Sequence, residues 1–167
     1  MSKQRGFEVV TDKFRTAFDI FIDEKKQRHQ FPKDIQLPTR ADPGSSGYDF
    51  YLPKDLKVTP SMHVVIWTDV KAFMQPDEEL LIFIRSSLAI KHGLMLSNAV
   101  GKIDSSYYGN ESNDGNIGIA ITNPTGKTVE LKAGDRIAQG TFYKYLTTDE
   151  DVVTSKKRTG GVGSSGK

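Results

Sequence analysis

Four short segments of the chain are dense in hydroxyl, amide, guanidinium and carboxylate side chains, the groups that proteins use to handle phosphates and nucleobases. The segments begin at Ser46, Arg85, Asn98 and Gly134. Arg85 directly follows the most apolar run, residues 80–84, and a charged side chain at the end of a buried strand needs an anion. The hydroxyls of Ser86 and Ser87 add hydrogen-bond donors beside it. Each segment alone also has a structural explanation, such as a turn glycine or a strand-end cap.

A fifth segment lies in the tail, where residues 161–167 match the phosphate-loop pattern G-x-x-x-x-G-K. Such a loop requires a following helix whose N-terminus holds the phosphates. No residue follows Lys167 in the sequence, and we therefore do not expect a phosphate loop of this kind. What remains is a basic, glycine-rich segment whose backbone N–H groups could bind an anion. A solvated chain end is the alternative.

Several other kinds of chemistry are disfavoured by composition. The histidines His29, His63 and His92 lack metal-ligand spacing, and the absence of cysteine excludes disulfides and thiolate sites. The 23 basic and 21 acidic residues give a net charge of +2, too small for a polyanion footprint. No apolar run approaches the ~18 residues of a membrane span, and no secretory signal is visible. We therefore expect a cytoplasmic protein that binds neither nucleic acid nor membrane.

The elements that position these segments are predicted to be mainly β-strands. Ile117, Ile119 and Ile121 alternate with smaller residues, which is the period of a strand. The continuous apolar run 80–84 predicts a strand buried on both faces. Further short strands are predicted at residues 7–10, 64–67, 94–96, 129–131 and 137–143. Glycine and proline turns separate them, so the pattern indicates an all-β domain, either a β-barrel or a jelly-roll-like sandwich.

The N-terminal third follows a different pattern. Phe14, Phe18, Phe21 and Ile22 recur at helical spacing and predict an amphipathic helix over residues 12–29. The stretch 18–22 also alternates, so a strand remains an alternative there.

Taken together and in this order, the five segments resemble the motifs of the trimeric dUTPase family, over roughly residues 35–167. The second motif is matched almost residue for residue by Arg85-Ser86-Ser87-Leu88-Ala89. The third is similar to Gly101-Lys102-Ile103-Asp104-Ser105-Ser106-Tyr107. The first, fourth and fifth are similar to Ser46-Gly47-Tyr48-Asp49, Gly134-Asp135-Arg136-Ile137-Ala138-Gln139 and the glycine-rich residues 160–166.

The resemblance implies a jelly-roll-like distorted β-barrel of the β-clip type and a homotrimer with active sites at subunit interfaces. We expect a β domain over residues 1–155, with an N-terminal helical insertion at about 12–33. Residues 156–167 would form a flexible arm that closes a neighbouring active site.

The resemblance also implies an activity, the hydrolysis of dUTP to dUMP and pyrophosphate by attack of water on the α-phosphate. Asp104 would be the general base, because an Asp is ionised at neutral pH and a positioned base contributes ~10²–10⁴-fold. The implied cofactor is Mg²⁺, held through triphosphate oxygens and water without a direct protein ligand. Removing dUTP would limit uracil incorporation into DNA and supply dUMP.

Substrate-binding roles are carried over by motif. Tyr107 would pack against the deoxyribose and exclude ribonucleotides, while Asn98 and the backbone of Gly101, Lys102 and Ile103 would read the uracil edge. Gly118 would allow close backbone approach on the far side of the hairpin. The residues implied in phosphate binding are Arg85, Ser86, Ser87 and Gln139. The residues implied in the arm are Arg158, Val162, Gly163, Ser164 and Ser165. The supporting residues are Asp49 and the structural pair Asp135 and Arg136.

Some features depart from the family pattern. Val162 stands where a phenylalanine normally stacks on the uracil, and Tyr108 is the nearest aromatic that could replace it. Residues 110–116 look like an insertion to which the sequence assigns no chemistry. Two alternatives therefore stay open: a regulatory module that binds a partner protein, and a dCTP deaminase-like enzyme of the same fold. The deaminase would need a carboxylate beside the exocyclic amine of its base.

Overall fold

The computed structural model describes residues 3–15 and 34–153, and within them the regular secondary structure consists mainly of short β-strands. The strands are β1 (Gly6–Val9), β2 (Thr39–Arg40), β3 (Tyr48–Tyr51), β4 (Leu56–Val58), β5 (His63–Trp67), β6 (Val70–Phe73), β7 (Glu78–Ile84), β8 (Met95–Leu96), β9 (Gly101–Asp104), β10 (Gly118–Thr122), β11 (Val129–Leu131) and β12 (Arg136–Lys144). The α-helix α1 (Ser86–His92) follows β7, and short 3-10 turns cover Asp12–Phe14 and Ser105–Tyr107. The predicted all-β class is confirmed.

The strands form four antiparallel sheets rather than a closed barrel within the described residues. The largest sheet has the order β2-β3-β12-β7-β9, and a second has the order β5-β10-β8. Two-stranded sheets β1-β6 and β11-β4 complete the set. The strands therefore enclose the core from several sides, as in a distorted jelly roll.

The core is filled by one face of each strand. In β10 the isoleucines at positions 119 and 121 are buried while their neighbours are half-buried, as the period-two pattern predicts. The strand β7 alternates in the same way, with Leu80 and Ile82 buried and Leu81 and Phe83 half-buried. The prediction that residues 80–84 are buried on both faces is therefore wrong for this chain taken alone. The run is apolar because its second face is itself partly covered.

The predicted N-terminal helix is wrong at its start. Asp12–Phe14 forms a single 3-10 turn, and Arg15 is already extended, with φ −66° and ψ 119°. Hydrogen bonds from the backbone of this segment to a distant loop, described below, outweigh its helical spacing. The remainder of the predicted helix, residues 16–29, lies outside the described residues, as does the arm 156–167.

The structure also contains elements that the hydrophobic pattern missed. The strands β3, β4, β6 and β9 were not predicted, and α1 occupies the segment that begins with Ser86. Strands β3 and β9 carry the first and third motifs, whose glycines and polar residues disfavour strands on propensity alone. Their backbones are held instead by pairing with β12 and β7. Tertiary pairing thus places two of the motif segments in one sheet.

Candidate functional site

A pocket of about 180 Å³ lies between β9, at the edge of the largest sheet, and β10 in the second sheet. β10 is the next strand after β9 in the chain, and a turn and a loop connect them. Because the two strands belong to different sheets, a gap remains between them. The volume is below the roughly 300–1,000 Å³ of sites that enclose drug-sized ligands. The gap therefore suits one small ring system. Its lining is Ile82, Leu96, Asn98, Gly101, Lys102, Ile103, Tyr107, Gly118, Ile119 and Ala120.

The pocket brings together six of the residues that the sequence assigned to base and sugar binding. Two of them are glycines whose missing side chains keep the walls apart. A Cβ atom on Gly101 would lie 3.2 Å from the Cβ of Ile82, and one on Gly118 would lie 3.0 Å from the ring of Trp67. A larger residue at either position would displace a wall of the pocket. Gly118 is thus required by its packing against the facing strand β5 as well as by the gap.

Tyr107 forms a fixed wall of this pocket. Its side chain is buried, and its hydroxyl donates a hydrogen bond to the carbonyl oxygen of Asn116 at 2.8 Å. The same hydroxyl accepts one from Nδ2 of Asn113 at 2.7 Å. Because the hydroxyl has a partner both as donor and as acceptor, the ring has little freedom to rotate away.

Asp104, the proposed general base, lies at the end of β9 directly opposite Glu79 of β7. Like charges at facing positions repel each other, and Lys102 offsets this by an ion pair to Glu79 of 2.8 Å. The hydrogen bond to Glu79 raises the pKa of Lys102 above its usual value, and the charge of Asp104 adds to that shift. Asp104 therefore belongs to a small group of charges that includes one more carboxylate than the sequence indicated.

A second group of functional side chains surrounds Asp49, which lies on β3 and is 2% exposed. One carboxylate oxygen of Asp49 accepts a hydrogen bond from Arg85 at 2.7 Å, and the other accepts one from Arg136 at 3.2 Å. Gln139 contacts the same Nη1 atom of Arg85 at 3.4 Å. We call these four residues the Asp49 cluster. It holds two guanidinium groups and one carboxylate, an excess of one positive charge.

The Asp49 cluster keeps donors available for a ligand. The Nε atom of Arg85 is buried and has no hydrogen-bond partner among the described residues. Ser86 and Ser87 are exposed and begin α1, where backbone N–H groups lack helical partners. Gly47 makes room for the cluster, because a Cβ atom there would lie 2.9 Å from Oε1 of Gln139. Gly47 belongs to the segment that resembles the first motif, but the sequence analysis predicted no role for it.

The predicted pairing of Asp135 with Arg136 is wrong. Arg136 contacts Asp49, whereas Asp135 accepts a hydrogen bond from the backbone N–H of Lys132 at 2.7 Å. Asp135 thus closes the turn before β12. A register shift between β3 and β12, at Arg136 and Ala138, accompanies the different direction of the arginine.

Tyr108 is not positioned to replace a stacking aromatic over the pocket. Its hydroxyl donates to Glu8 of β1 at 2.6 Å, and its ring packs against Phe73 and beneath the ammonium of Lys71. The hydrogen bond to Glu8 raises the pKa of Tyr108 to about 12. The side chain is therefore engaged with the N-terminal strand and does not line the pocket.

Asp104 and the Asp49 cluster lie toward opposite ends of β7. Gly101 of the pocket pairs with Ile82, and Asp104 pairs with Glu79. Arg85 follows the last residue of β7, six positions beyond Glu79. At a rise of about 3.3 Å per residue, the backbones of Arg85 and Asp104 are roughly 20 Å apart. One chain therefore does not bring its proposed base and its phosphate-binding arginine to the same atom.

Within residues 3–15 and 34–153, no three His, Asp or Glu side chains are grouped as metal ligands. In the same residues, no helix is long and apolar enough to cross a membrane. The predicted arm residues Arg158, Val162, Gly163, Ser164 and Ser165 lie outside the described residues, so their roles stay predictions.

Sequence reasoning missed the residues that support the site. Asn113 and Asn116 contact Tyr107, and Glu79 faces Asp104. The asparagines did carry a signal, because three of them within residues 110–116 in a turn-forming segment indicate side chains that bond the backbone. Nothing in the sequence pattern indicated Glu79, since only the register of β7 against β9 places it there.

The fold and the site define an all-β protein with a ring-sized pocket between two sheets and a separate basic cluster. A family model described as dUTPase matches residues 33–166. The deoxyuridine 5′-triphosphate nucleotidohydrolase of Lactococcus lactis is 38% identical over 165 residues, which cover 98% of this chain and 99% of the relative. The chain belongs to the dUTPase family.

Solved structures agree with this assignment. The crystal structure of dUTPase from Streptococcus mutans has a TM-score of 0.68 and 38% identity, and the match covers 86% of this chain and 98% of that one. A dUTPase variant from phage phi11 of Staphylococcus aureus, which coordinates a structural Mg(II) ion, has a TM-score of 0.64. It is 20% identical, with 92% of this chain and 98% of that chain covered, and supports the fold alone.

Proposed function

We propose that this protein hydrolyses dUTP to dUMP and pyrophosphate by attack of water on the α-phosphate. The observation that carries the proposal is the pocket between β9 and β10, in a chain of the dUTPase family. The pocket is lined by the third-motif residues and lies on the strand that ends at Asp104. This juxtaposition favours a nucleotide hydrolase over a regulatory module without catalysis.

In this proposal the pocket selects the base and the sugar. The backbone of Gly101, Lys102 and Ile103, together with Asn98, reads the polar edge of uracil. A polar site built for one donor and acceptor pattern rejects another base, because its buried groups would be left unpaired. The narrow gap excludes the methyl group of thymine. The buried ring of Tyr107 leaves no space for a ribose 2′-hydroxyl.

The Asp49 cluster and the start of α1 bind the phosphates in this proposal. Arg85 carries a buried Nε donor that has no partner among the described residues. Gln139 contacts Arg85, and Ser86 and Ser87 follow it directly in the chain. Asp49 holds Arg85 and Arg136 in place and leaves one positive charge for the ligand. The arm residues 158 and 162–165 would cover the bound nucleotide.

We further propose a homotrimer whose active sites combine residues of different subunits. The support is the separation of roughly 20 Å between the backbones of Arg85 and Asp104 along β7. A general base must be within hydrogen-bond reach of the attacking water, and the triphosphate that this water attacks must also reach Arg85. A second copy that offers its Asp49 cluster to the pocket of the first meets both requirements. The half-buried second face of β7, with Leu81 and Phe83, provides apolar surface for such a contact.

The proposed cofactor is Mg²⁺ that arrives with the triphosphate of the substrate. This ion binds commonly through substrate phosphates and keeps several waters, so it would be held here through the triphosphate and water without a direct protein ligand. When bound, the ion would neutralise charge on the phosphate oxygens. The chain's own part is to hold the nucleotide, to align Asp104 with a water molecule and to accept its proton. The lack of cysteine is consistent with a reducing, cytoplasmic location.

The test is the release of pyrophosphate and ammonia from a panel of nucleotides with Mg²⁺: dUTP, dCTP, dTTP and UTP. We expect pyrophosphate from dUTP alone. Ammonia from dCTP would instead support the deaminase-like alternative. Tight dUTP binding without any turnover would overturn the proposal in favour of the regulatory module.

A further inference from the structure

The loop of residues 110–116, which we call the asparagine loop, is built around the hydroxyl of Tyr107. Asn113 donates to that hydroxyl from Nδ2, and the carbonyl oxygen of Asn116 accepts from it. The loop also contacts the tyrosine backbone, because Nδ2 of Asn110 donates to the carbonyl oxygen of Tyr107 at 2.9 Å. The asparagine loop thus holds both the hydroxyl and the backbone carbonyl of Tyr107.

Hydrogen bonds within the loop orient the Asn113 amide. Its Oδ1 atom accepts from Nδ2 of Asn110 at 2.6 Å and from the N–H of Gly115 at 3.1 Å. With Oδ1 occupied by two donors, Nδ2 must point toward Tyr107. The fold of the loop depends on Gly115, whose φ is +83° and whose Cβ atom would lie 2.8 Å from the carbonyl oxygen of Tyr107. The loop therefore presents one defined donor to one defined acceptor.

The outer side of the asparagine loop is fixed to the body of the protein. Asp114 accepts hydrogen bonds from the N–H of Thr11 at 2.8 Å and from Lys71 at 2.9 Å. Asn116 is fully buried, and its side chain exchanges two hydrogen bonds with Asp69. The loop is consequently a rigid support between the N-terminal strand and the pocket wall.

We propose that Asn113 is a positioning residue for sugar discrimination, because it fixes the Tyr107 ring against the space where a ribose 2′-hydroxyl would lie. The proposal rests on the proposed hydrolysis of dUTP. It assigns the asparagine loop a role in substrate selection, whereas the sequence assigned it no chemistry. Asn113 does not touch the substrate and acts through Tyr107.

The experiment compares kcat/KM for dUTP with kcat/KM for UTP in purified full-length variants. For Asn113→Ala we expect the dUTP preference to fall about fivefold, the change that one neutral hydrogen bond represents. Tyr107→Phe, which keeps the ring and removes the hydroxyl, should lower the preference by at least this factor, because it also removes the bond to Asn116. The double variant should show no further fall, because both changes remove the same interaction.

Ser112→Ala is the matched control, since Ser112 bonds Asn110 within the same loop and does not contact Tyr107. We expect it to keep the wild-type preference. A wild-type preference in Tyr107→Phe would overturn the inference, even if Asn113→Ala did not fold. Additive effects in the double variant, or an equal fall in Ser112→Ala, would also overturn it. Wild-type protein that fails to hydrolyse dUTP would overturn the proposed function and the inference together.

Discussion

The β9–β10 pocket and the Asp49 cluster are separate regions of the molecule, and different interactions maintain them. The pocket depends on shape: two glycines keep its walls apart, and a buried tyrosine is held by neutral hydrogen bonds. The Asp49 cluster depends on charge, with one buried carboxylate between two partly exposed guanidinium groups. We infer that the pocket chooses the ligand and that the cluster binds its charge.

The two regions also differ in how complete they are within one chain. The pocket has walls on both sides, formed by β9 and β10. The Asp49 cluster has an excess positive charge and a buried Arg85 donor without a partner among the described residues. An unpaired buried donor costs free energy, so a ligand that supplied an acceptor there would bind with that advantage. The comparison yields four predictions.

The largest expected effect is at the end of β9, where Asp104→Asn removes the proposed base. We expect kcat for dUTP to fall by about 10²–10⁴-fold, the contribution of a positioned general base. Nucleotide affinity should remain near that of the wild type, because the amide preserves the shape. Steady-state kinetics and calorimetric titration with a non-hydrolysable analogue would measure the two quantities.

Glu130→Gln is the matched control for this change. It also converts a carboxylate to an amide, but on β11, where Glu130 forms an exposed ion pair with Lys57. Its kcat should equal that of the wild type. Full activity in Asp104→Asn would show that another group accepts the proton.

The second prediction concerns the separation of the two regions. Arg85→Gln and Asp104→Asn should each be inactive alone, one for lack of phosphate binding and the other for lack of a base. Trimers assembled from both variants should regain activity, because some interfaces would combine an intact Arg85 with an intact Asp104. Random mixing of equal amounts would restore about a quarter of the sites.

The mixed assembly must be verified, for example by tagging one variant and isolating trimers that contain both. Mixtures of Asp104→Asn with wild-type protein give the reference for subunit exchange. No recovery in verified mixed trimers would show that each site takes both residues from one chain, against the geometry of β7.

The third prediction addresses the Asp49 cluster, where Asp49→Asn leaves two guanidinium groups without their anion. Hydrogen bonds to charged groups contribute more than neutral ones, but Arg85 and Arg136 are partly exposed and therefore screened. We expect the free energy of unfolding to fall by about 2–3 kcal/mol, measured by urea denaturation.

The control for this change is Asp77→Asn, which breaks the exposed pair with Lys144. Such surface pairs contribute about 0–1 kcal/mol, and the loss should stay in that range. Equal losses in the two variants would indicate that burial of Asp49 adds nothing to its ion pairs.

The two regions were also unequally predictable from the sequence. Motif order indicated all six of the proposed ligand-binding residues that line the pocket, and period-two alternation placed β10 correctly. The sequence could not show that Asp49 pairs with Arg136, because that contact depends on the pairing of β3 with β12 and on the register shift beside it. Adjacent charges of opposite sign, as in Asp135 and Arg136, suggested a local pair that the strand geometry does not form.

The N-terminal region shows a further limit of periodic patterns. Aromatic residues at helical spacing predicted a helix from residue 12, but the backbone there is committed to long-range contacts. The N–H of Thr11 bonds Asp114, and the 3-10 turn that follows ends at Phe14. Partners separated by 103 positions in the chain leave no local signal.

The smallest expected effect concerns Asp114, which joins the N-terminal strand to the asparagine loop on the pocket side. Burial alone would raise the pKa of this carboxyl, but the N–H of Thr11 and the ammonium of Lys71 outweigh burial, and the net shift is downward from 3.8. A carboxyl whose pKa is lowered by folding stabilises the protein above its unfolded pKa. Its contribution should therefore be complete at neutral pH and lost as the pH falls below about 4.

Asp114→Asn isolates this contribution. We expect the variant to lose about 1–2 kcal/mol of unfolding free energy at pH 7, from weaker bonds to Lys71 and Thr11. The difference from the wild type should shrink as the pH is lowered from 4 toward 2, because protonation makes the wild-type carboxyl neutral as well. Urea denaturation at several pH values measures it. A constant difference across that range would show that the charge of Asp114 is irrelevant, and that the pocket side of the molecule is held by neutral hydrogen bonds alone.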